Sequence, residues 1–171
     1  MRTTQIFFKN VKKVLARRNL SLSWLEEKTG VSEVLISTFE WIPSGLSFQL
    51  AIKVAMALSV SIQSLASEAF SEEPMFYKWS LDCTDIYRRF WLSVEYESYR
   101  KNIDLHDIAW TAGKTAAGII SCATRDKDID IQRAEAIALL LDKSIDDLIW
   151  EKIPGYPYSE GREEDPLAAD F

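Results

Sequence analysis

Apolar residues near the start of the chain recur at helical rather than strand spacing. In IFFKNVKKVLARR, Phe7, Phe8, Val11, Val14 and Leu15 share one face, which predicts a first helix. Ser21 can cap a second helix, SWLEEKT, and Gly30 then supplies a turn position that a Cβ would disfavour. Ser32 heads a third helix, EVLISTFEW, and the segment IPSG breaks the chain. FQLAIKVAMAL reads as a fourth helix with positions 50, 51, 54, 55 and 58 on its apolar face, and IQSLA as a short fifth after Ser61. No period-two pattern of any length appears, so an all-α chain is expected.

The pattern then starts again. Slid by 83 residues without a gap, the chain matches itself: Phe7 with Phe90, Val11 with Val94, Arg17 with Arg100, Asn19 with Asn102, Gly30 with Gly113 and Ile36 with Ile119. Further on, Gln49, Ala51 and Ala55 meet Gln132, Ala134 and Ala138, and Leu58, Ser61, Ile62 and Leu65 meet Leu141, Ser144, Ile145 and Leu148. Matches concentrated at apolar and turn positions mark two copies of one five-helix domain. In the second copy the expected helices are FWLSVEYESYRK, HDIAWTA capped by Asp104, AAGIISCA capped by Thr115 after the Gly113 turn, IQRAEAIALLL and IDDLIW, with RDKD as a loop. The expected organisation is a first domain over 1–66, an acidic and aromatic linker over 67–87, a second domain over 88–150 and a mobile acidic tail over 151–171. Met75, Phe76, Tyr77 and Trp79 in the linker suggest a segment that packs on the domains.

Charge changes the picture next. The net charge of −6 argues against a general nucleic-acid coat, but residues 1–65 alone carry +4. Five of those cations, Lys9, Lys12, Lys13, Arg17 and Arg18, lie in the first helix. The longest low-charge run, 46–67, contains Lys53 and is interrupted by Ser-Val-Ser, so it reads as two buried helices rather than a membrane span. No secretory start is visible, and a soluble, cytoplasmic protein is expected. Cys83 and Cys122 have no metal or redox spacing and are expected as reduced structural thiols, while a single histidine, His106, excludes a His-rich metal site and suits a cap or the surface. Trp24 and Trp110 are expected in core or interface packing, and Trp41, Trp91 and Trp150 in the core or at the domain junction. The chain holds no Ser-His-Asp set, no HExxH and no phosphate loop: GKTAAG at 113–118 lacks the first glycine and the spacing. No enzyme and no cofactor are expected.

On LSLSWLEEKTGVSEVLISTFE with LAIKVAMALSVSIQSLA, and on IDLHDIAWTAGKTAAGIIS with AEAIALLLDKSIDDL, each copy resembles the lambda-repressor-like (Cro/C1-type, XRE) helix-turn-helix family. The tract A-x-x-x-A-x-x-L-x-x-S-I-x-x-L, from Ala51 and again from Ala134, carries the likeness of the last two helices. The resemblance implies five-helix domains that bind double-stranded DNA, with the third helix in the major groove and the second crossing the backbone. It also implies a repressor-like transcriptional regulator of bacterial or phage origin, usually dimeric. The sequence departs from the family at Leu22 and Leu105, where a phosphate-touching Gln is common. It departs again at Glu26, at a helix crossing where the family prefers the Ala that the second copy keeps as Ala109.

The base-reading positions that follow are Ser32, Glu33, Val34, Ser37 and Thr38 in the first copy, and Thr115, Ala116, Ala117 and Ser121 in the second. None is the Arg, Asn or Gln of strong bidentate readout, so discrimination would come from Glu33 toward a cytosine amino group, from Val34, Ala116 and Ala117 toward thymine methyls, from hydroxyls, and from DNA shape. Phosphate contacts are expected from Lys12, Lys13, Arg17 and Lys28, and from Lys114, Arg125 and Lys127. The alternative is an interaction module or anti-repressor on degenerate helix-turn-helix domains, gripping a partner regulator protein through its uncharged third helices. A homodimer is compatible with either.

Overall fold

The computed structural model describes residues 3–38, 45–72, 82–124 and 127–154. Trp41, the aromatic stretch at 75–79, Arg125 and the tail from 155 onward lie outside these described residues. Among the described residues the chain is helical and has no strand. The helices are α1 (Thr3–Arg17), α2 (Leu22–Thr29), α3 (Glu33–Thr38), α4 (Phe48–Leu58), α5 (Ile62–Ala66), α6 (Cys83–Lys101), α7 (Leu105–Thr111), α8 (Ala116–Ala123), α9 (Ile131–Leu140) and α10 (Ile145–Trp150).

The starts of α7, α8, α9 and α10 each lie 83 residues after those of α2, α3, α4 and α5. The local signals behind them repeat at the same interval. Ser21 and Asp104, Ser47 and Asp130, and Ser61 and Ser144 are N-caps whose side chains accept backbone N–H groups of the following turn. Left-handed backbone recurs at Asn19 and Asn102, Gly30 and Gly113, and Ser59 and Asp142. α6 begins at Cys83, seven residues before the apolar pattern at Phe90, behind a capping box in which Asp82 and Asp85 bind each other's backbone N–H. The last five residues expected in the linker are therefore helix, and Ile86 and Tyr87 among them are buried.

The predicted apolar face of α1 is buried throughout, and the buried side chains of all ten helices form one continuous cluster. Phe48 of α4 is fully buried against Phe90 of α6, ring centroids 4.8 Å apart and edge to face. Trp91 is buried and Trp24 and Trp150 are half-buried against the cluster, as expected. Trp110, expected in core or interface packing, is 87% exposed on α7 and outside the core.

The contacts between the two halves are related by exchanging residue i with residue i + 83. α4 packs on α6, and its image α9 packs on α1; α5 meets α10, and α4 meets α9. The Phe48 N–H donates to the Ile129 carbonyl at 2.8 Å, and the exchange image, Ile131 N–H to the Leu46 carbonyl, is also 2.8 Å. These two bonds flank an isolated antiparallel bridge between Ser47 and Asp130, themselves exchange images, so a local two-fold axis passes between them. The same relation holds at α5 and α10. The Asp146 carboxylate accepts from Ser61 Oγ, from Ile62 N (3.3 Å) and from Gln63 N (3.0 Å), while Gln63 Oε1 accepts from Ile145 N (3.3 Å). Each half thus completes the helix caps of the other. Burial raises the Asp146 carboxyl above the usual carboxylate range, and the bonds from Ser61, Gln63 and Ile62 oppose the rise.

Candidate nucleic-acid interface

The α2–turn–α3 unit is built by short-range bonds. Gly30 has φ 72°, and its N–H returns to the Glu26 carbonyl at 2.7 Å, so the chain reverses in a conformation that only a residue without Cβ adopts freely. Ser32 Oγ accepts from Leu35 N at 3.2 Å and so caps α3. Glu26, expected at a tight helix crossing, is instead exposed, and its carboxylate accepts the Glu33 N–H at 3.0 Å. A carboxylate beside an orphan N–H group at a helix start is favourable by hydrogen bonding and by the helix dipole. Here the side chain turns outward where Ala109 of α7 turns inward and is buried.

The expected reading residues divide by what holds them. Glu33 is half-buried, and its carboxylate accepts a bond from Ser23 Oγ, which ties it to α2. Thr38 Oγ1 donates to the Leu35 carbonyl at 2.9 Å. Ser32 and Ser37 are exposed, and Val34 is 73% exposed. Leu35, which the sequence pattern did not single out, shares that exposed surface. A hexamer with only Ile36 buried leaves two large aliphatic side chains in water.

On α8, Thr115 Oγ1 accepts from Gly118 N at 3.1 Å, so this hydroxyl is a cap. Ala117 is exposed, Ala116 and Ser121 are half-buried, and Ile120 adds an exposed aliphatic surface that sequence reasoning missed. Beside α8, between α6 and α7, lies a groove of about 570 Å³ lined by Trp91, Leu92, Ile103, Leu105, Ile108 and Ile120, with Arg88 and Glu95 among its polar residues.

The cations fall into two groups. On α1, Lys13 Nζ donates to Asn10 Oδ1 at 3.1 Å and lies 5.5 Å from the Phe70 ring centroid; the Arg17 guanidinium is equally close to that ring. Arg17 and Arg18 both pair with Glu72, at 3.4 and 2.7 Å. Lys12 is half-buried on the same helix. Lys28, in the last turn of α2, is exposed and close in sequence to the Gly30 turn. The second group gathers about α8. Burial pushes the Cys122 thiol of α8 up, and the charges of Lys114, Lys127 and Arg133 oppose the shift. Arg133 was not singled out from the sequence; its Nε donates to the Ala112 carbonyl at 2.8 Å and its Nη1 pairs with Asp130. His106 is exposed at the start of α7, and its backbone N–H donates to Asp104.

No group of three or more His, Cys, Asp or Glu able to hold a metal ion occurs among the described residues. No helix among them is long and apolar enough to cross a membrane. Compared with known proteins, the chain matches no family model, no curated protein and no solved structure.

Proposed function

We propose that the chain is a sequence-specific, repressor-like DNA-binding regulator of bacterial or phage origin, made of two tandem five-helix helix-turn-helix domains joined as an intramolecular counterpart of a dimer. The observation that carries this reading is the pair of exchange-related bonds, Phe48 N to Ile129 O and Ile131 N to Leu46 O. They support a two-fold arrangement of two helix–turn–helix units, the symmetry by which dimeric readers meet palindromic half-sites about 34 Å apart. Unlike residues on α3 and α8 then imply an asymmetric site. α3 reads through Val34 with Ser32 and Ser37, and α8 through Ala116, Ala117 and Ser121. Lys28, Lys114 and Lys127 supply phosphate contacts, with Lys12, Lys13 and Arg17 as a further group.

The test is selection of the full-length protein on a random duplex library at two salt concentrations. An enriched motif of two unlike half-sites is expected, with steep salt dependence. Lys12→Glu combined with Lys13→Glu reduces affinity if α1 meets phosphate, and leaves it unchanged if it does not.

A second reading is favoured by one specific observation. Val34, Leu35, Trp110 and Ile120 are large, exposed and apolar, and α8 has no charged side chain. Exposed apolar side chains of this kind suit a protein partner. Under this reading Val34→Arg abolishes partner binding and spares or improves DNA affinity; loss of DNA affinity in Val34→Arg excludes it.

A further inference from the structure

The segment that follows α5 is fastened over α1 at several points. Asn10, 1% exposed, donates from Nδ2 to the carbonyls of Leu65 (3.0 Å) and Ser67 (2.8 Å). Ser64 Oγ donates to the Ser71 carbonyl. Phe70 then lies under Lys13 and Arg17, and Glu72 sits between the Arg17 and Arg18 guanidinium groups. Arg18 is itself held in place by the Leu58 carbonyl at the end of α4, which accepts from Nη1 at 2.5 Å. Two guanidinium groups converging on one oxyanion, one of them preorganised by a backbone carbonyl, is the arrangement a phosphate takes on a protein surface.

We propose that residues 67–72 are an intramolecular cover over a phosphate-binding site on the C-terminal part of α1, with the Glu72 carboxylate standing where a DNA phosphate binds. This rests on the DNA-binding reading above and adds a control to it. The Arg17 side chain is 59% exposed, so its pair with Glu72 is screened by solvent and is readily exchanged for a multiply charged competitor. Asn10 and Ser64 keep the segment tethered when Glu72 leaves. The cover weakens binding to scattered phosphates and yields to a duplex that a reading helix already holds in register. It therefore acts against nonspecific more than specific DNA.

The experiment compares the full-length protein with three variants on a mixed-sequence DNA duplex, by fluorescence anisotropy across a salt series. Glu72→Gln is expected to bind about threefold to tenfold tighter, with the salt slope steeper by about one counterion. Phe70→Ala, which changes no charge, is expected to tighten binding as well, because it releases Lys13 and Arg17. Glu68→Gln changes the same charge as Glu72→Gln on an exposed residue of the same segment and is expected to have a smaller effect. Equal gains in Glu68→Gln and Glu72→Gln overturn the cover in favour of general electrostatics. Binding by the wild type with no gain in Glu72→Gln or Phe70→Ala overturns it outright while leaving the DNA reading in place. No binding by any form at any salt removes both. Thermal melts of each variant establish that the comparison is made between folded proteins.

Discussion

Cys83 illustrates how a single side chain reports its surroundings. Its thiol donates to the Gln49 carbonyl at 3.2 Å, across the junction of the halves, and burial pushes it from an ordinary 9.0 up to about 11, with nearby Asp128 and Asp82 adding to the rise and Lys53 opposing it. Cys122 is buried and pushed the same way. The neutral thiol is therefore favoured by the fold. Its contribution to stability is complete below the unfolded value of about 9 and is lost as pH rises toward about 11. A melting temperature that holds at neutral pH and falls over that alkaline window is the expected profile. Iodoacetamide at mildly alkaline pH should modify the native protein at least about tenfold more slowly than the denatured chain. Rapid native alkylation of Cys83 would mean that the junction opens.

At the scale of elements, the bridge between the halves depends on a glycine. Gly45 is the exchange image of Asp128, but a Cβ built there would lie 2.5 Å from Asp130 Cβ. That neighbour is fixed to the backbone and cannot rotate away. Asp128 uses its own side chain to cap α4 through Ser47 and through Gln49 N at 3.1 Å, so the two-fold relation is broken where the side chains meet. Gly45→Ala should lower stability by about 1–3 kcal/mol, read as a drop in the unfolding midpoint in urea with little change in slope. A neutral result would mean that the α3–α4 connection shifts to make room.

Most of the elements were legible beforehand, because caps, left-handed turns and apolar faces are local signals repeated at an interval of 83. The N-terminal extension of α6 was not, since CTDIYRRF mixes polar and apolar residues, although the Asp82–Asp85 pair is a usable start signal. Glu26 was misplaced for a different reason. Its position on α2 was read correctly, but the direction of its side chain depends on the orphan N–H of Glu33, which belongs to another helix. The pairing of Arg17 and Arg18 with Glu72, and the bonds between Asp146 and α5, join residues more than fifty positions apart, so no local pattern contains them.

For the whole molecule, the decisive fact is that one apolar cluster runs through both halves. Phe48, Phe90 and Tyr87 meet in it, with α4 as much a part of the second half's packing as of the first. Unfolding should therefore be a single cooperative transition, with matching midpoints by far-ultraviolet circular dichroism and tryptophan fluorescence. A fragment ending at residue 72 would leave Phe48, now fully buried, facing water, and is expected to be unstable on its own. Two separated transitions would mean that the halves are independent units resting against each other.

The exchange-related bridge at Ser47 and Asp130 also bears on life at low copy number. Two separate subunits meet only as often as their concentration allows, and a dimeric protein present as a few molecules per cell spends much of its time apart. Here both halves belong to one chain and share one core, so their meeting is intramolecular and no dilution alters it. The paired state is then independent of how much protein the cell makes, and each half is free to accumulate its own substitutions without those changes being duplicated in its partner.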